Sequence, residues 1–221
     1  STCDLRTYKY LEMGKMTERL LTPSKITAWL DCGHYLTLQH QLESGVRDKP
    51  KSTFGEFAEL LMQKGIAHEE ACLEQYKAEG KSVFEVPARD RSNKESFEAW
   101  VERIGNPMAD GYDVIYQMPF IHDGVRGIAD FLIRKPGDSH GEWRYEPLDA
   151  KLARKSAKPG HVLQLCFYAD AITELTGHTP EFLHVWLGSD EVEKVRLRDV
   201  DAYWRRVKAQ LKDVMNAGEE S

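Results

Sequence analysis

The chain has 221 residues, is 41% hydrophobic and 30% charged, and carries a net charge of −6 with a pI near 5.8. That length accommodates one α/β domain or a core with a helical extension, and the acidic balance argues against a generally basic nucleic-acid coat protein. No apolar run approaches the roughly 18 residues that a membrane span needs. Residues 1–7, Ser-Thr-Cys-Asp-Leu-Arg-Thr, lack a secretory pattern, so a cytoplasmic protein without a membrane partner is expected. Cys3, Cys32, Cys72 and Cys166 are widely spread with no Cys-x-x-Cys pair, which points to free thiols rather than a zinc ribbon or a disulfide framework.

Taken in order, Thr22-Pro23-Ser24 has the cap-then-proline form of a helix start, with Ile26, Trp29 and Leu30 as its apolar face. Cys32-Gly33 ends or bends that helix, and a second runs from about His34 to Glu43. Lys49-Pro50-Lys51-Ser52 is a polar joint, with Ser52 or Thr53 as a cap for the next helix. From Phe54 to about Ala78 the pattern is helical, and Leu61, Gly65, His68 and Cys72 share one face, so His68 is expected to look inward. Val83 to Val86 reads as a short strand and Lys94 to Ile104 as a helix.

A sheet is expected from Asp113 onward. Val114 to Ile121 and Val125 to Arg134 are apolar-rich runs joined by His122-Asp123-Gly124, whose Asp-Gly is a favoured hairpin turn. Strict alternation puts Arg126, Ile128, Asp130 and Leu132 on one face, so Asp130 is a carboxylate inside an apolar strand. Such a group costs free energy unless it is bound to a metal or salt-bridged to a lysine or arginine. Trp143 to Lys151 returns as a third strand, completing an antiparallel meander. A helix then runs from about His161 to Leu175, with Val162, Leu165, Cys166, Ala169 and Ile172 as its core stripe and His161, Gln164 and Tyr168 on another side. The strand at Glu181 to Leu187 comes next by a crossover and is expected to be parallel to its neighbour. Val192 to Leu197 and a last helix, Val200 to Met215, close the fold, with Tyr203, Trp204, Val207, Leu211 and Val214 among its inward positions.

The chemistry concentrates in Tyr145-Glu146-Pro147-Leu148-Asp149-Ala150-Lys151. On a strand Asp149 and Lys151 point the same way. A carboxylate there can hold a hard divalent cation, and the ammonium beside it can steer a water and offset charge on a phosphate. Glu146 could approach a metal through water, but Pro147 disturbs the register and Glu146 is not assigned as a ligand. No acidic residue falls between Ala150 and Ala169, whereas Lys151, Arg154, Lys155 and Lys158 do, forming a local basic segment. His122, His140, His178 and His184 lack companions at ligand spacing and read as surface or structural residues.

These pieces together resemble the RecB-like branch of the PD-(D/E)XK nuclease superfamily. The resemblance rests on Leu21 to Cys32 as the opening helix pattern, Gly65-Ile66-Ala67-His68-Glu69 as the histidine motif and Gly127-Ile128-Ala129-Asp130 as the glycine-to-aspartate strand. Asp149-Ala150-Lys151 corresponds to the Asp-x-Lys signature and Gln164 with Tyr168 to the Gln-x-x-x-Tyr helix motif. It looks closest to the group in which the domain opens larger helicase-containing proteins. The resemblance implies an α/β, restriction-endonuclease-like core with a mixed central sheet flanked by helices, plus an N-terminal helical region. In these terms residues 1–20 are a tail, 21–110 the helical region with the histidine motif, 111–215 the nuclease core and 216–221 a linker or tail.

The implied metal ligands are His68, Asp130, Asp149 and the Ala150 carbonyl, a set suited to Mg2+ or Mn2+. Asp130, Asp149, Lys151, Gln164 and Tyr168 are the implied catalytic set, and Arg154, Lys155 and Lys158 would hold DNA phosphates. The implied activity is a metal-dependent deoxyribonuclease, an exonuclease working on ends or single strands in repair, recombination or defence, with a linked or separate helicase. A catalytically silent DNA-binding module and an RNA-processing nuclease are the alternatives; retention of Asp130, Asp149 and Lys151 speaks against the first. No cysteine follows Cys166, so an iron–sulphur cluster is not expected, and Cys32 is read as a packed thiol.

Overall fold

Thr22 opens the fold as a helix cap: its hydroxyl accepts the Lys25 N–H at 3.3 Å, and Pro23 occupies the first helical position. The computed structural model describes residues 20–48, 55–137, 142–153 and 155–219, with side chains to residue 214. Its elements in order are α1 (Pro23–Asp31), α2 (Tyr35–Glu43), α3 (Gly55–Ala78), β1 (Val83–Glu85), α4 (Phe97–Ile104), β2 (Val114–His122), β3 (Val125–Pro136), β4 (Trp143–Lys151), α5 (Pro159–Thr176), β5 (Phe182–Leu187), β6 (Val192–Arg196) and α6 (Leu197–Glu219). Residues expected as a polar joint and cap at 49–53, together with Cys3, His140 and Arg154, lie outside the described residues.

The six strands form one mixed sheet in sequence order, β1 to β6. β2, β3 and β4 make the expected antiparallel meander, β1 adds parallel to β2, β5 parallel to β4, and β6 antiparallel to β5. The chain is therefore α/β with a mixed sheet flanked by helices and a helical N-terminal region. That region is not separate from the core, because β1 enters the sheet and α1 packs on α5. A Cβ at Gly160 would lie 2.5 Å from Thr27 Cγ2, so only glycine lets these two helices approach so closely.

Two apolar clusters sandwich the sheet. The larger joins α5 and α6 to residues such as Met118, Ala129, Leu132, Val185 and Leu187. The smaller joins Cys72 and Leu73 of α3 to Val114, Phe131, Ile133, Leu148 and Trp186. The hairpin at Asp123-Gly124 has positive φ at both residues, 47° and 73°, the conformation that Asp-Gly favours.

Several expectations shift. α4 starts at Phe97 rather than Lys94, because Ser96 caps it through the Ala99 N–H and Lys94 sits at φ 54°. α5 begins at Pro159, ahead of His161. Tyr168, expected on a different side of α5 from its core stripe, is 1% exposed and buried together with that stripe. Only the C-terminal half of α3 packs inward; Leu61 is 46% exposed along with Phe57, Leu60, Met62 and Ile66. On α6 Trp204, Val207 and Leu211 are buried but Tyr203 and Val214 are exposed. The helix also continues through the expected linker to Glu219. Cys32, expected to be packed, is exposed, whereas Cys72 and Cys166 are buried. No helix among the described residues is long and apolar enough to cross a membrane.

Candidate active site at the β3–β4 fork

β3 and β4 pair from Pro136 opposite Trp143 to Phe131 opposite Leu148, in one continuous register through Pro147. Proline therefore does not disturb the register as the sequence led us to expect. Past Leu148, β4 continues alongside β5, from Leu148 opposite His184 to Lys151 opposite Leu187. β3 and β4 thus diverge where Asp130 and Asp149 sit. The parting strand leaves the Ala150 N–H without a β3 partner, and the Asp130 carboxylate takes it at 2.9 Å.

At the same level β2 and β3 both break their alternation. Gln117 has φ 62°, and no ladder pair joins it to Asp130. Ala129 joins the larger cluster, Phe131 the smaller and Leu132 the larger again, so Arg126, Ile128, Asp130 and Leu132 do not share one face as strict alternation required. The break frees Asp130 from both apolar clusters and turns its carboxylate toward β4.

Asp149 is 1% exposed, and its partners are the Lys151 ammonium and the neighbouring Asp130 carboxyl. Lys151 Nζ stands 2.8 Å from its Oδ2 as an ion pair and 3.9 Å from Asp130 Oδ2. Burial, followed by repulsion from Asp149 and a hydrogen bond with it, pushes the Asp130 carboxyl well above its ordinary pKa. Burial opposes the Lys151 ammonium, but Asp149, Asp130 and Glu69 more than offset this and hold its pKa above the usual lysine value. Lys151 is thus a cation lodged between two carboxylates.

A third acid, missed in the sequence, lies close enough to feel the pair. Glu69 on α3 is half-buried, hydrogen-bonds Gln117 and Tyr116, and lies within the electrostatic reach of both Asp130 and Lys151. Burial and then Asp130 raise its pKa. Its neighbour His68 has Nε2 3.2 Å from the carbonyl of Trp186, the β5 residue opposite Ala150, and 4.0 Å from Cys72 Sγ. Among the described residues no three His, Cys, Asp or Glu side chains converge as a ready-made metal cage. The one available signal was Gln117 itself, a lone amide in the apolar run Val114 to Ile121.

The α5 pair is seated behind the fork. Gln164 donates to Tyr168 Oη at 3.2 Å, and the Tyr168 hydroxyl donates to the Ile128 carbonyl at 2.5 Å. Burial raises the phenol's pKa, so Tyr168 acts as a neutral strut under β3 two residues from Asp130. Gly127 makes room for it, since a Cβ there would lie 3.0 Å from both Phe167 and Tyr168 rings. Lys155 and Lys158 are exposed beyond the end of β4, and the Lys158 N–H donates to His161 Nδ1 at 3.2 Å.

The remaining histidines and Glu146 have structural partners. Glu146 accepts the Phe182 N–H at 3.0 Å and pairs with His184 Nε2 at 2.7 Å, on the sheet face opposite Asp149. His122 pairs with Glu174 at 2.5 Å, and His178 is exposed.

The donor chemistry fits a hard divalent cation. Two converging carboxylates, one 1% exposed and sharing a single lysine with the other, which resists ionisation beside it, are what such a cation neutralises. No protein-family model matches the chain, and no curated protein matches it significantly.

Proposed function

We propose that this chain is a divalent-metal-dependent nuclease of the RecB-like PD-(D/E)XK type, hydrolysing DNA phosphodiester bonds as an exonuclease on ends or single strands. The carrying observation is the 1% exposed Asp149 carboxylate held against Lys151 at 2.8 Å and beside a second carboxyl, Asp130, where β3 and β4 part. Asp130, Asp149 and the Ala150 carbonyl would hold Mg2+ or Mn2+, with His68 and Glu69 as the candidate side chains from α3. When bound, the metal supplies phosphate polarisation and a water of lowered pKa.

The protein's own contribution is placement. Lys151, held as an ammonium, orients the attacking water and offsets negative charge growing on the phosphate. Asp130 fixes the Ala150 backbone by accepting its N–H, and Tyr168 with Gln164 braces the β3 segment that carries Asp130. Arg154, Lys155 and Lys158 follow the site in the chain and would hold phosphates without reading sequence. We place the activity in the cytoplasm, in repair, recombination or defence, beside a linked or separate helicase.

The test is Mn2+-dependent cleavage of end-labelled single- and double-stranded DNA, with RNA of the same sequence alongside, by wild type and Lys151→Ala. Loss of cleavage in the variant supports the reading, and the label position gives polarity. Binding by wild type without cleavage in Mg2+ or Mn2+ would overturn catalysis in favour of a silent binding module.

A further inference from the structure

A cleft of about 710 Å3 opens on the β2–β3 side of the fork, beneath the segment that links β1 to α4. Arg89, Arg91 and Arg126 project into it, and Phe97, Tyr116 and Gln117 supply aromatic and amide wall. The Arg126 guanidinium packs over the Phe97 ring, 5.5 Å from its centroid. Its stem is thereby fixed while its N–H groups stay available, the arrangement in which arginine recognises a planar or phosphate acceptor.

Charge pairing makes this cleft unusual in an acidic protein. Among the described residues none of the three guanidinium groups has a carboxylate ion-pair partner. The acids around them are already engaged: Asp90 accepts from Ser92 and Asn93, Glu95 pairs with Arg103 at 2.7 Å, and Glu85 pairs with Lys77 at 2.9 Å. Three unneutralised arginines facing one cavity predict a polyanionic ligand. The cleft is joined to the carboxylate–lysine site, because Tyr116 and Gln117 line it and also hydrogen-bond Glu69.

We infer that this cleft binds a single-stranded polynucleotide segment next to the bond presented to Asp130 and Asp149, with Arg89, Arg91 and Arg126 on its phosphates and the aromatic wall against a base. The inference rests on the nuclease reading for its orientation, but not for its binding chemistry. The volume lies within the roughly 300–1,000 Å3 range that encloses a small ligand. It is large enough to admit a base with its phosphates. Single-strand binding by a basic groove with aromatic stacking is sequence-tolerant and salt-dependent.

The test is fluorescence anisotropy in EDTA, using labelled single-stranded DNA, single-stranded RNA of the same sequence and a blunt duplex, across a salt series. The proteins compared are wild type, R89A/R91A, Arg126→Gln, and Arg198→Ala as a control beyond the far edge of the sheet. Each phosphate contact on a single strand contributes about 0.7 to the slope of log affinity against log salt. R89A/R91A should therefore flatten the slope by about 1.4 and weaken binding at low salt by roughly tenfold or more. Arg126→Gln should flatten it by about 0.7, and Arg198→Ala should change nothing. This pattern on either single strand supports the cleft. Unchanged slopes on both, or duplex binding that is as tight as single-strand binding and falls equally, would overturn it. Because metal is absent, a protein that fails to cut yet shows the slope change would lose the nuclease reading and keep the cleft.

Discussion

Two buried carboxylates three residues apart on β4 behave differently. Glu146 is 6% exposed and fully partnered, by the Phe182 N–H and by His184, so its charge is absorbed into the joint between β4 and β5. Asp149 is 1% exposed, and its partners are a lysine that it shares with a second carboxyl, Asp130, and that carboxyl itself. Burial of a charge therefore does not by itself mark a site. Two carboxyls crowded onto one lysine do, because their mutual repulsion is what a bound cation relieves.

The contrast is sharpest in substitutions that separate stability from activity. Asp149→Asn should lower Mn2+-dependent cleavage by roughly a thousandfold. Its urea-unfolding free energy should stay within about 1 kcal/mol of wild type, since the lost pairing with Lys151 is offset by relief of repulsion on Asp130. Glu146→Ala should do the reverse. It leaves His184 and the Phe182 N–H buried without their partner and should cost about 3 kcal/mol, with cleavage per folded molecule retained. If both variants lose stability equally, the distinction between the two carboxylates is void.

A smaller effect probes the strut behind Asp130. Gly127→Ala places a methyl 3.0 Å from Phe167 and Tyr168. It should destabilise by about 1–3 kcal/mol in chemical denaturation and reduce cleavage through displaced β3 backbone. The smallest concerns pH. Burial, then Lys151 and Lys158, holds the His161 pKa below 6.5. A histidine depressed on folding contributes stability that is complete above its unfolded pKa and is lost as pH falls through the folded value. Thermal stability should dip by the equivalent of about 1 kcal/mol or less on acidification below pH 6.5 as the Lys158 N–H loses its acceptor. His161→Gln should flatten that dip.

Local chemistry explains what could be read from the chain. Thr22-Pro23 and Asp123-Gly124 announce their turns because cap and hairpin geometry are decided within a few residues. Asp149 and Lys151 share a face because strand period requires it, and Asp130 stood out as a charge among apolar neighbours. Glu69 did not stand out, since its place beside Asp130 depends on how α3 docks on the sheet, and its partner Gln117 is 48 residues away. Nor did the broken alternation at Gln117 and Asp130, because period-two reasoning assumes an unbroken pleat. Glu146 and His184 were legible separately but not as a pair, their meeting being a product of the parallel crossover.

The most direct measurement is Mn2+ titration by calorimetry into wild type, Asp149→Asn and Glu146→Gln, each checked for folding. Wild type and Glu146→Gln should bind Mn2+ with the same affinity, and Asp149→Asn should lose that binding. Equal binding by all three, or none by wild type, would contradict the assignment of the β3–β4 fork as a cation site.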